Sequence, residues 1–438
     1  MPPEPATPSF EALGLSAPVL AALRKARYVL PTPIQLSAIP PALQGKDVIG
    51  CAATGTGKTA AFLIPMVERL CGKPGTRGLV LAPTRELALQ IAEQLELFGG
   101  NSLVRGAVVI GGLGMYQQVK ALKGSPEVII ATPGRLVDHL QQRTVDLSAV
   151  EILVLDEADR MLDMGFKPQL TRILSRVKRP RQTLLFSATM AGEVADFAQK
   201  NLASPVRVEV SRSGATAERA EQGVYAVAQL DKPALLLALL EDGADTVLVF
   251  TRTKRRADKL AKSVERVGHA VARIHADRSQ AQRRHALDGF KSGKYRVLIA
   301  TDIAARGIDV EQIGHVVNYD LPHVPEDYVH RVGRTARAAA SGKASSFFSP
   351  EEAPLLRAIE KLIKAALPLR PLPTDSAAFI AERERAKVAR MDPGAPQPTH
   401  GQPTRSKDQP LGRHARTHPK KKALAASVPH APRRRPGG

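Results

Sequence analysis

A glycine-rich loop constrains the fold of this chain more than any other stretch. Residues 52–59 read Ala-Ala-Thr-Gly-Thr-Gly-Lys-Thr, and they stand between a short apolar run, residues 47–51, and a helix-like segment, residues 60–70. A buried strand, a glycine-rich loop and a helix form the usual context of a phosphate-binding loop. Gly55 and Gly57 let backbone N–H groups crowd around an anion, and the helix N-terminus adds its dipole. The alternative is a glycine-rich turn in which Gly-Lys-Thr occurs by chance.

The loop predicts individual nucleotide contacts. Lys58 is expected to reach the outer phosphates, and the hydroxyl of Thr59 is expected to hold Mg²⁺. The strict form of the motif has glycine where this chain has Ala52. The residues assigned to nucleotide binding in this loop are Ala53, Thr54, Gly55, Thr56, Gly57, Lys58, Thr59 and Ala60.

Length and charge narrow the class of protein. A chain of 438 residues is too long for one core and suggests two domains with extensions. Its two cysteines, Cys51 and Cys71, lie in apolar or helix-like contexts and are expected to be buried free thiols. A formal charge of +21 indicates an anionic partner, with nucleic acid the first candidate, or else a basic solvated surface.

Neither membrane insertion nor secretion is predicted. The chain has no long uncharged apolar run. Residues 1–8 are rich in proline and lack the basic and apolar regions of a signal peptide. We therefore expect an unstructured N-terminus, a cytoplasmic location and no membrane partner.

Short apolar runs alternate with helix-like segments through the first half of the chain. Such runs predict a parallel sheet that is covered on both faces. Ligands bind such sheets at the carboxyl ends of the strands. Unusual residues follow five of the runs: Pro83, Thr84 and Arg85 after 78–82; Gly112 after 107–110; Thr132, Pro133, Gly134 and Arg135 after 128–131; Asp156 and Glu157 after 152–155; and Ser187 and Thr189 after 183–186.

Asp156 and Glu157 carry the strongest chemical signal among these strand ends. A carboxylate after an apolar strand is where a phosphate-loop NTPase holds its metal, which assigns Asp156 to Mg²⁺. Glu157 beside it could orient and deprotonate the attacking water. The alternative is an acidic helix start, because carboxylates favour first turns. The phosphate loop upstream favours the catalytic interpretation.

A bend before the phosphate loop offers a site for a base. Tyr28 precedes a Pro-Thr-Pro sequence, residues 31–33, whose prolines predict an extended bend before a helix that starts near Gln35. The amide of Gln35 has a donor and an acceptor, which match the N6 and N7 edge of adenine. The alternative is an ordinary proline-containing loop.

The second half repeats the alternation without a phosphate loop. Residues 211–222 are mostly small or charged and predict a linker, and a second α/β domain is expected over residues 223–370. Arg331, Arg334 and Arg337 recur at helical spacing, which predicts one shared helix face. Across a cleft between the domains, these side chains could act as arginine fingers on bound phosphates. The alternative is a basic helix face.

The alternating pattern ends near residue 371. Beyond Met391 there is no Phe, Tyr or Trp, and nine prolines are spread through a segment rich in Lys and Arg. We expect a disordered basic tail that holds phosphates loosely and in a salt-dependent way, or that only improves solubility. The predicted divisions are 1–8, disordered N-terminus; 9–210, first domain; 211–222, linker; 223–370, second domain; and 371–438, tail.

Together these motifs resemble those of one family. The run Asp-Glu-Ala-Asp at residues 156–159 is that of the DEAD-box RNA helicases, and the resemblance extends in order over residues 10–367. Residues 249–254, residues 304–307 and the basic tail look most like the bacterial RhlE subgroup. The family implies an α/β fold of two tandem RecA-like domains, each a mostly parallel sheet covered by helices, that close on ATP and on single-stranded RNA.

The resemblance assigns roles residue by residue. It implies that Ser187 and Thr189 couple the ATP site to strand separation, and that Arg334 and Arg337 are the fingers. The adenine pocket that it implies consists of Phe10, Tyr28, Thr32 and Gln35, with further nucleotide contacts at Gly307 and Asp309. The RNA contacts that it implies are Pro83, Thr84, Arg85, Gly112, Thr132, Pro133, Gly134, Arg135, Gln280, Arg283 and Thr301.

Three residues depart from the family pattern. Arg27 stands where glycine usually precedes the aromatic residue. Ala276 and Ala336 stand where glycine usually follows His275 and Thr335. The last two remove backbone freedom near the RNA and finger segments, so we expect them to affect interdomain geometry and not chemistry.

Two functions of different classes remain open. The first is an RNA-stimulated ATPase that unwinds short duplexes or remodels RNA–protein complexes. The second is an RNA clamp or annealing protein that uses ATP mainly to lock on. Glu157, Arg334 and Arg337 favour turnover, and residues 156–159 argue against a third possibility, a DNA translocase. We expect a monomer that acts on single-stranded and short duplex RNA, in ribosome-precursor or RNA-decay complexes.

Overall fold

The computed structural model describes residues 8–52, 55–190, 192–210, 220–241, 243, 245–302, 313–335 and 342–391. Within these residues the chain forms two α/β halves, each built around one sheet. Every strand pairing recorded in the two sheets is parallel.

The first half contains a seven-stranded sheet with the order β3-β4-β2-β5-β6-β1-β7. Its strands are β1 (Val48–Cys51), β2 (Gly78–Leu81), β3 (Gly106–Val109), β4 (Val128–Ala131), β5 (Ile152–Leu155), β6 (Gln182–Ser187) and β7 (Val206–Glu209). A 3₁₀ turn, Phe10–Leu13, precedes the helices α1 (Ala17–Lys25), α2 (Pro33–Leu43), α3 (Lys58–Leu70), α4 (Arg85–Leu103), α5 (Met115–Lys123), α6 (Pro133–Gln141), α7 (Ala158–Asp163), α8 (Lys167–Leu174) and α9 (Glu193–Asn201).

The second half contains a six-stranded sheet with the order β10-β11-β9-β12-β13-β8. Its strands are β8 (Glu221–Ala226), β9 (Val247–Thr251), β10 (Val271–Ile274), β11 (Val297–Thr301), β12 (His315–Asn318) and β13 (Lys343–Phe348). Its helices are α10 (Lys232–Glu241), α11 (Lys254–Arg266), α12 (Gln280–Lys291), α13 (Pro325–Val332), α14 (Ala353–Ile363) and α15 (Ala377–Met391), with a 3₁₀ turn at Pro350–Glu352. None of the helices in the described ranges is both long enough and apolar enough to cross a membrane.

Burial on both faces explains the parallel sheets. β2, β4 and β5 are buried along their whole length, as their continuous apolar runs predict. One face of the first sheet packs against α1 to α4 around Phe62, Phe98 and Phe186. The other face packs against α6 to α9 around Met161 and Ile173. Because both faces are covered, the strand ends are the part of the sheet where a ligand can bind.

The predicted fold class is confirmed, with two tandem α/β halves and a parallel sheet in each. The five apolar runs used for the prediction coincide with β2 to β6 to within one residue at each end. β7 and β8 were not anticipated, and both lie at a margin of their sheet. Strands at a margin are partly exposed and carry polar residues, so they lack a continuous apolar run.

The second half begins earlier and ends later than predicted. β8 starts at Glu221, inside the predicted linker 211–222. Helix α15 lies inside the predicted tail, and its Phe379 is 2% exposed within the core of the second half. Glu382 of the same helix pairs with Arg266 of α11.

The prediction of a disordered tail over 371–438 is therefore wrong as far as Met391. One aromatic anchor, Phe379, docks a helix whose other residues are largely charged or small, and the composition of the segment hides it. Residues 392–438, on which the rest of the tail prediction falls, lie outside the described residues.

The two cysteines are less buried than the sequence predicts. Cys51 is half-buried at the end of β1, and Cys71 is exposed. Helix α3 ends at Leu70, so Cys71 follows the helix and does not join its buried face.

Candidate active site

The phosphate loop lies at the carboxyl end of β1. Gly57 precedes α3 with a left-handed φ of 92°, and Lys58 is the first residue of that helix. Lys58 is buried, and its Nζ donates a hydrogen bond to the carbonyl oxygen of Ala52 at 2.7 Å. The ammonium group is thus held across the loop in which the sequence predicts phosphate binding. Ala53 and Thr54 lie outside the described residues.

Gln35 joins the predicted adenine pocket to the phosphate loop. Its Oε1 accepts a hydrogen bond from the Thr32 backbone N–H at 2.9 Å, and its Nε2 donates to the Gly57 carbonyl oxygen at 3.1 Å. A Cβ at position 57 would collide with Gln35 Nε2, so the close approach requires glycine as much as the positive φ does. The amide keeps a second N–H and a second lone pair for the edge of a base.

The aromatic residues of the predicted pocket pack against each other. The ring centroids of Phe10 and Tyr28 are 6.4 Å apart, and Tyr28 meets Phe98 edge-on at 5.0 Å. Phe10 is 2% exposed, so it supports the pocket from the core. Arg27, which directly precedes Tyr28, has a φ of 61°. Glycine adopts a positive φ more readily than other residues, which explains why the family usually has glycine at this position.

Asp156 and Glu157 follow β5, at the same edge of the sheet as the phosphate loop. Burial raises the pKa of Asp156 to about 7, although the nearby charge of Lys58 acts to lower it. Glu157 has a φ of 49° in the left-handed region, a strained conformation that is typical of functional sites. Its Oε2 lies 3.6 Å from Arg160 Nε and accepts no hydrogen bond within the described part of the chain.

Thr59 and Asp156 offer the oxygen donors that Mg²⁺ prefers. The described residues contain no group of three His, Cys, Asp or Glu side chains that could hold a metal by themselves. Mg²⁺ is usually bound by one or two carboxylates together with substrate phosphates and waters. A single buried carboxylate beside a phosphate loop fits that mode, and the assignment of these two residues stays a prediction.

Asp159 fixes the segment that contains Ser187 and Thr189. Its Oδ2 accepts hydrogen bonds from the backbone N–H groups of Ala188 and Thr189, at 3.0 and 3.1 Å. Ser187 Oγ donates to the Thr189 carbonyl oxygen at 2.6 Å. The end of β6 is therefore tied to the acidic run after β5, which gives the predicted coupling a physical route.

The predicted RNA contacts of the first half cluster at the ends of β2, β3 and β4. Gly112 has a φ of 82°, and a Cβ there would collide with the guanidinium group of Arg85. Arg135 Nη1 donates to the Leu113 carbonyl oxygen at 2.9 Å, which ties the start of α6 to the same loop. Thr84 Oγ1 caps α4 by accepting from the Leu87 N–H. Pro83, Thr132, Pro133 and Gly134 lie at the same strand ends.

The RNA contacts predicted in the second half meet the first half at Glu86. Gln280 Nε2 donates to Glu86 Oε1 at 3.3 Å, and Arg283 Nη2 lies 2.9 Å from Glu86 Oε2. Thr301 is buried at the end of β11. The predicted RNA contacts of the two halves are therefore brought together.

The prediction that three arginines share a helix face is wrong. Helix α13 ends at Val332 with Gly333 as its C-cap, so Arg334 lies beyond the helix. Arg331 is buried and binds the carboxylate of Asp302, with Nε–Oδ1 and Nη2–Oδ2 distances of 2.7 Å. Glycine ends the helix where the spacing alone predicts that it continues. Arg337, Gly307 and Asp309 lie outside the described residues.

Sequence reasoning gave no role to two acidic residues of this edge, Asp159 and Glu86. Asp159 stands one turn after Asp156, and Glu86 stands next to Arg85. Each follows a buried strand closely, which is the signal that could have identified it.

Two family profiles match this chain. The profile described as DEAD/DEAH box helicase matches residues 32–197, and the one described as helicase conserved C-terminal domain matches residues 231–339. The DEAD-box ATP-dependent RNA helicase CshA of Bacillus subtilis is 43% identical over 370 residues, which are 84% of this chain and 75% of that relative. CshA of Geobacillus kaustophilus is 45% identical over 368 residues, which are 84% of this chain and 79% of the relative. The chain belongs to the DEAD-box ATP-dependent RNA helicases, which are ATP-hydrolysing enzymes.

Two solved structures have a fold similar to that of this chain. S. cerevisiae Dbp5 bound to RNA and ADP BeF3 matches with a TM-score of 0.75 and 30% identity, over 86% of this chain and 99% of that one. Mss116p bound to ssRNA and AMP-PNP matches with a TM-score of 0.76 over 90% of this chain and 88% of that one, and at 24% identity it shows the fold alone. The two halves are RecA-like, as the resemblance implied.

The prediction of the RhlE subgroup is not supported, because these relatives are CshA proteins.

Proposed function

We propose that this chain is an RNA-stimulated ATPase that holds ATP and Mg²⁺ at the open edge of its first sheet. It would use hydrolysis to unwind short RNA duplexes or to remodel RNA–protein complexes. The observation that carries the proposal is the meeting of Lys58, Asp156 and Glu157 at one buried sheet edge. Lys58 lies close enough to Asp156 for its charge to lower the pKa of that carboxyl against the effect of burial.

Each of these side chains has one task in the proposal. Lys58 would bind the outer phosphates together with the backbone N–H groups of the loop. Thr59 and Asp156 would hold Mg²⁺, whose charge neutralises the phosphates. Glu157 would accept the proton of the attacking water, because its Oε2 accepts no other hydrogen bond from the described residues. Gln35 would read adenine from its fixed place beside Gly57.

RNA would lie across the strand ends of both halves. In the first half, the guanidinium group of Arg85 lies close to Gly112, and Arg135 donates to the Leu113 carbonyl oxygen. Gln280 and Arg283 of the second half reach Glu86. Because these contacts bring the strand ends of the two halves together, they support a single RNA-binding track to which both halves contribute. The complex of Dbp5 with RNA supports RNA as the polymer.

Hydrolysis of ATP measured with no polymer, with single-stranded RNA and with DNA of the same sequence tests the proposal. We expect RNA to raise the rate and DNA to leave it near the value without polymer. Equal stimulation by RNA and DNA would point to a translocase. Tight binding of RNA with ATP, without faster hydrolysis, would support the clamp or annealing function.

The setting of the enzyme is also part of the proposal. We propose a monomer that acts in the cytoplasm on ribosome precursors or RNA-decay complexes, because the bacterial relatives are ATP-dependent RNA helicases. The RhlE subgroup is not carried into the proposal. Light scattering of the purified protein and the RNA species that copurify with it test these points.

A further inference from the structure

A groove of about 540 Å³ lies at the end of the first sheet that is opposite the candidate active site. It is lined by α8, by the connection that follows, residues 175–181, and by α9. This connection enters β6 at its amino end, whereas Ser187 lies at the carboxyl end, roughly 17 Å along the strand. We propose that the groove and the basic wall of residues 172–181, of which Arg179 and Arg181 line the groove, form a second RNA-binding surface. This surface would bind the phosphodiester backbone of RNA that extends beyond the strand-end track.

The charge of this segment is one-sided. Between Lys167 and Gln182 the sequence has six cationic residues and no Asp or Glu. Arg172 and Arg176 are exposed, and their side chains make no hydrogen bond or ion pair within the described chain. Neither the family motifs nor the proposed active site uses any of the six, which are Lys167, Arg172, Arg176, Lys178, Arg179 and Arg181.

Two arginines of the wall are held in position without a carboxylate partner. Arg179 Nη2 donates to the Lys200 carbonyl oxygen at 3.4 Å, and Arg181 Nη1 donates to the Val177 carbonyl oxygen at 3.2 Å. Arg181 Nε is buried without a hydrogen-bond partner among the described residues. Carbonyl oxygens orient the guanidinium groups, and the charge of Asp47 acts on Arg181 without a recorded ion pair between them. Guanidinium groups held in this way suit phosphate oxygens.

The opposite wall of the groove, on α9, is acidic in part. Glu193 pairs with Lys167 at 2.5 Å, and Asp196 lies one turn further along the helix. Positive charge is therefore concentrated along residues 172–181. An extended polyanion that follows this wall fits it better than a single phosphorylated side chain, because the charges are spread along the segment.

Helix α6 connects this surface to the predicted RNA track. Its N-cap is Thr132 and its first turn contains Arg135, two of the predicted RNA contacts, and the helix packs against α8. Nine helical residues span about 14 Å, so an RNA strand that leaves the track at the start of α6 reaches the basic wall within a few nucleotides. The inference rests on the proposed RNA binding at the strand ends.

The test compares a wall variant with a control of equal charge change. The wall variant is Arg176→Ser, Lys178→Ser and Arg179→Ser, three exposed positions of which Arg179 lines the groove. The control is Lys259→Ser, Lys262→Ser and Lys361→Ser, three exposed lysines on α11 and α14. Binding of single-stranded RNA of about 8 and about 40 nucleotides is measured for both at several salt concentrations.

We expect the wall variant to bind the long RNA about tenfold more weakly at low salt. The slope of log affinity against log salt concentration should be smaller by about 2, because three phosphate contacts are lost and each contributes about 0.7. Its affinity for the short RNA should stay at the parental value. ATP hydrolysis at saturating short RNA should also be unchanged. Photocrosslinking of the long RNA to the parental protein should label peptides from residues 168–181.

Three results would overturn the inference. The wall variant could bind long RNA with unchanged affinity, it could lose as much affinity for short RNA as for long RNA, or the lysine control could lose as much affinity for long RNA as the wall variant does. Unchanged affinity without crosslinks would assign the surface to another anionic partner, such as an acidic protein. If short RNA fails to stimulate hydrolysis by the parental protein, the proposed function fails, while direct binding of long RNA still tests the wall.

Discussion

The pKa of a buried carboxyl group is shifted in opposite directions at the carboxyl-end edges of the two sheets. In the first half, burial raises the pKa of Asp156 to about 7 despite the charge of Lys58. In the second half, burial also acts to raise the pKa of Glu352, but the hydrogen bond and charge of Lys232 bring it below its ordinary value. Lys232 Nζ donates to Glu352 Oε2 at 2.6 Å and is fully buried.

A compensated network surrounds Lys232. Its Nζ lies 3.7 Å from Asp320 Oδ1, and Arg256 pairs with the same carboxylate. Arg252 Nη2 donates to Glu352 Oε1 at 2.7 Å. The comparison teaches that one architecture can use its strand ends for stability or for a ligand. The second half pairs its charges internally, whereas the first leaves Asp156 and Glu157 incompletely paired where nucleotide is expected.

Lys232→Met should give the largest effect on stability. Removing the buried cation leaves Glu352 and Asp320 with the less buried Arg252 and Arg256 as their recorded cationic partners, and breaking a buried ion network costs about 3–5 kcal/mol of unfolding free energy. Urea unfolding of the variant measures that loss, and Lys259→Met on the exposed face of α11 is the control. Where the variant is folded, hydrolysis should stay near the parental rate. A lost rate with parental stability would contradict the contrast between the two edges.

Lys58→Ala should greatly reduce hydrolysis and have little effect on stability, the reverse of Lys232→Met. We expect hydrolysis to fall by about 10²–10³-fold, because a preorganised charge on the phosphates is removed, and nucleotide binding to weaken. Stability should change much less than in Lys232→Met, since Lys58 donates its recorded hydrogen bond to a single backbone carbonyl. Hydrolysis assays and nucleotide titrations measure both effects. Normal turnover would remove the phosphate loop from the mechanism.

Two truncations sharpen the boundary of the second half. Deleting residues 392–438 should spare the fold and the maximal rate of hydrolysis. It should raise the RNA concentration for half-maximal stimulation by about tenfold and flatten its salt dependence, because only phosphate attraction is lost. Deleting 368–438 should in addition lower the melting temperature, because it removes Phe379 from its core.

Phe379→Ala in the full chain should reproduce that loss of stability without changing the salt dependence. Identical RNA titrations for the full chain and the shorter deletion would leave a role in solubility alone for residues 392–438.

Arg27→Gly should have the smallest effect. Arg27 is exposed with a φ of 61°, so glycine should relieve about 1–2 kcal/mol of backbone strain. Because glycine also loses about 0.5–1 kcal/mol more conformational entropy on folding, the net stabilisation of the first half should be about 0.5–1 kcal/mol. Lys25→Gly, at the last residue of α1, is the control and should destabilise. A loss of stability in Arg27→Gly would show that Arg27 makes a contact more important than the strain. Ala276, by contrast, is not among the left-handed residues of the described chain, so its departure from glycine introduces no such strain.

The charged residues at the strand ends of the first sheet could be predicted, because the signals that identify them are local in sequence. Lys58 lies in a motif that its own neighbours define, and Asp156 follows directly on an apolar run. The network of Lys232 was not predictable, since its partner Glu352 is 120 residues away and neither residue belongs to a pattern. Spacing alone also failed at Arg334, because it does not register the helix end at Gly333.

The central claim is that the first edge is left incompletely paired because ATP and its attacking water complete it. Glu157→Gln tests this most directly, since glutamine keeps the shape of the side chain and is no base. Nucleotide binding, single-turnover hydrolysis and release of labelled RNA are measured on one preparation. We predict parental ATP affinity, hydrolysis slower by about 10²–10⁴-fold and RNA that stays bound while ATP is present. Hydrolysis at the parental rate would show that another group activates the water and would contradict the account.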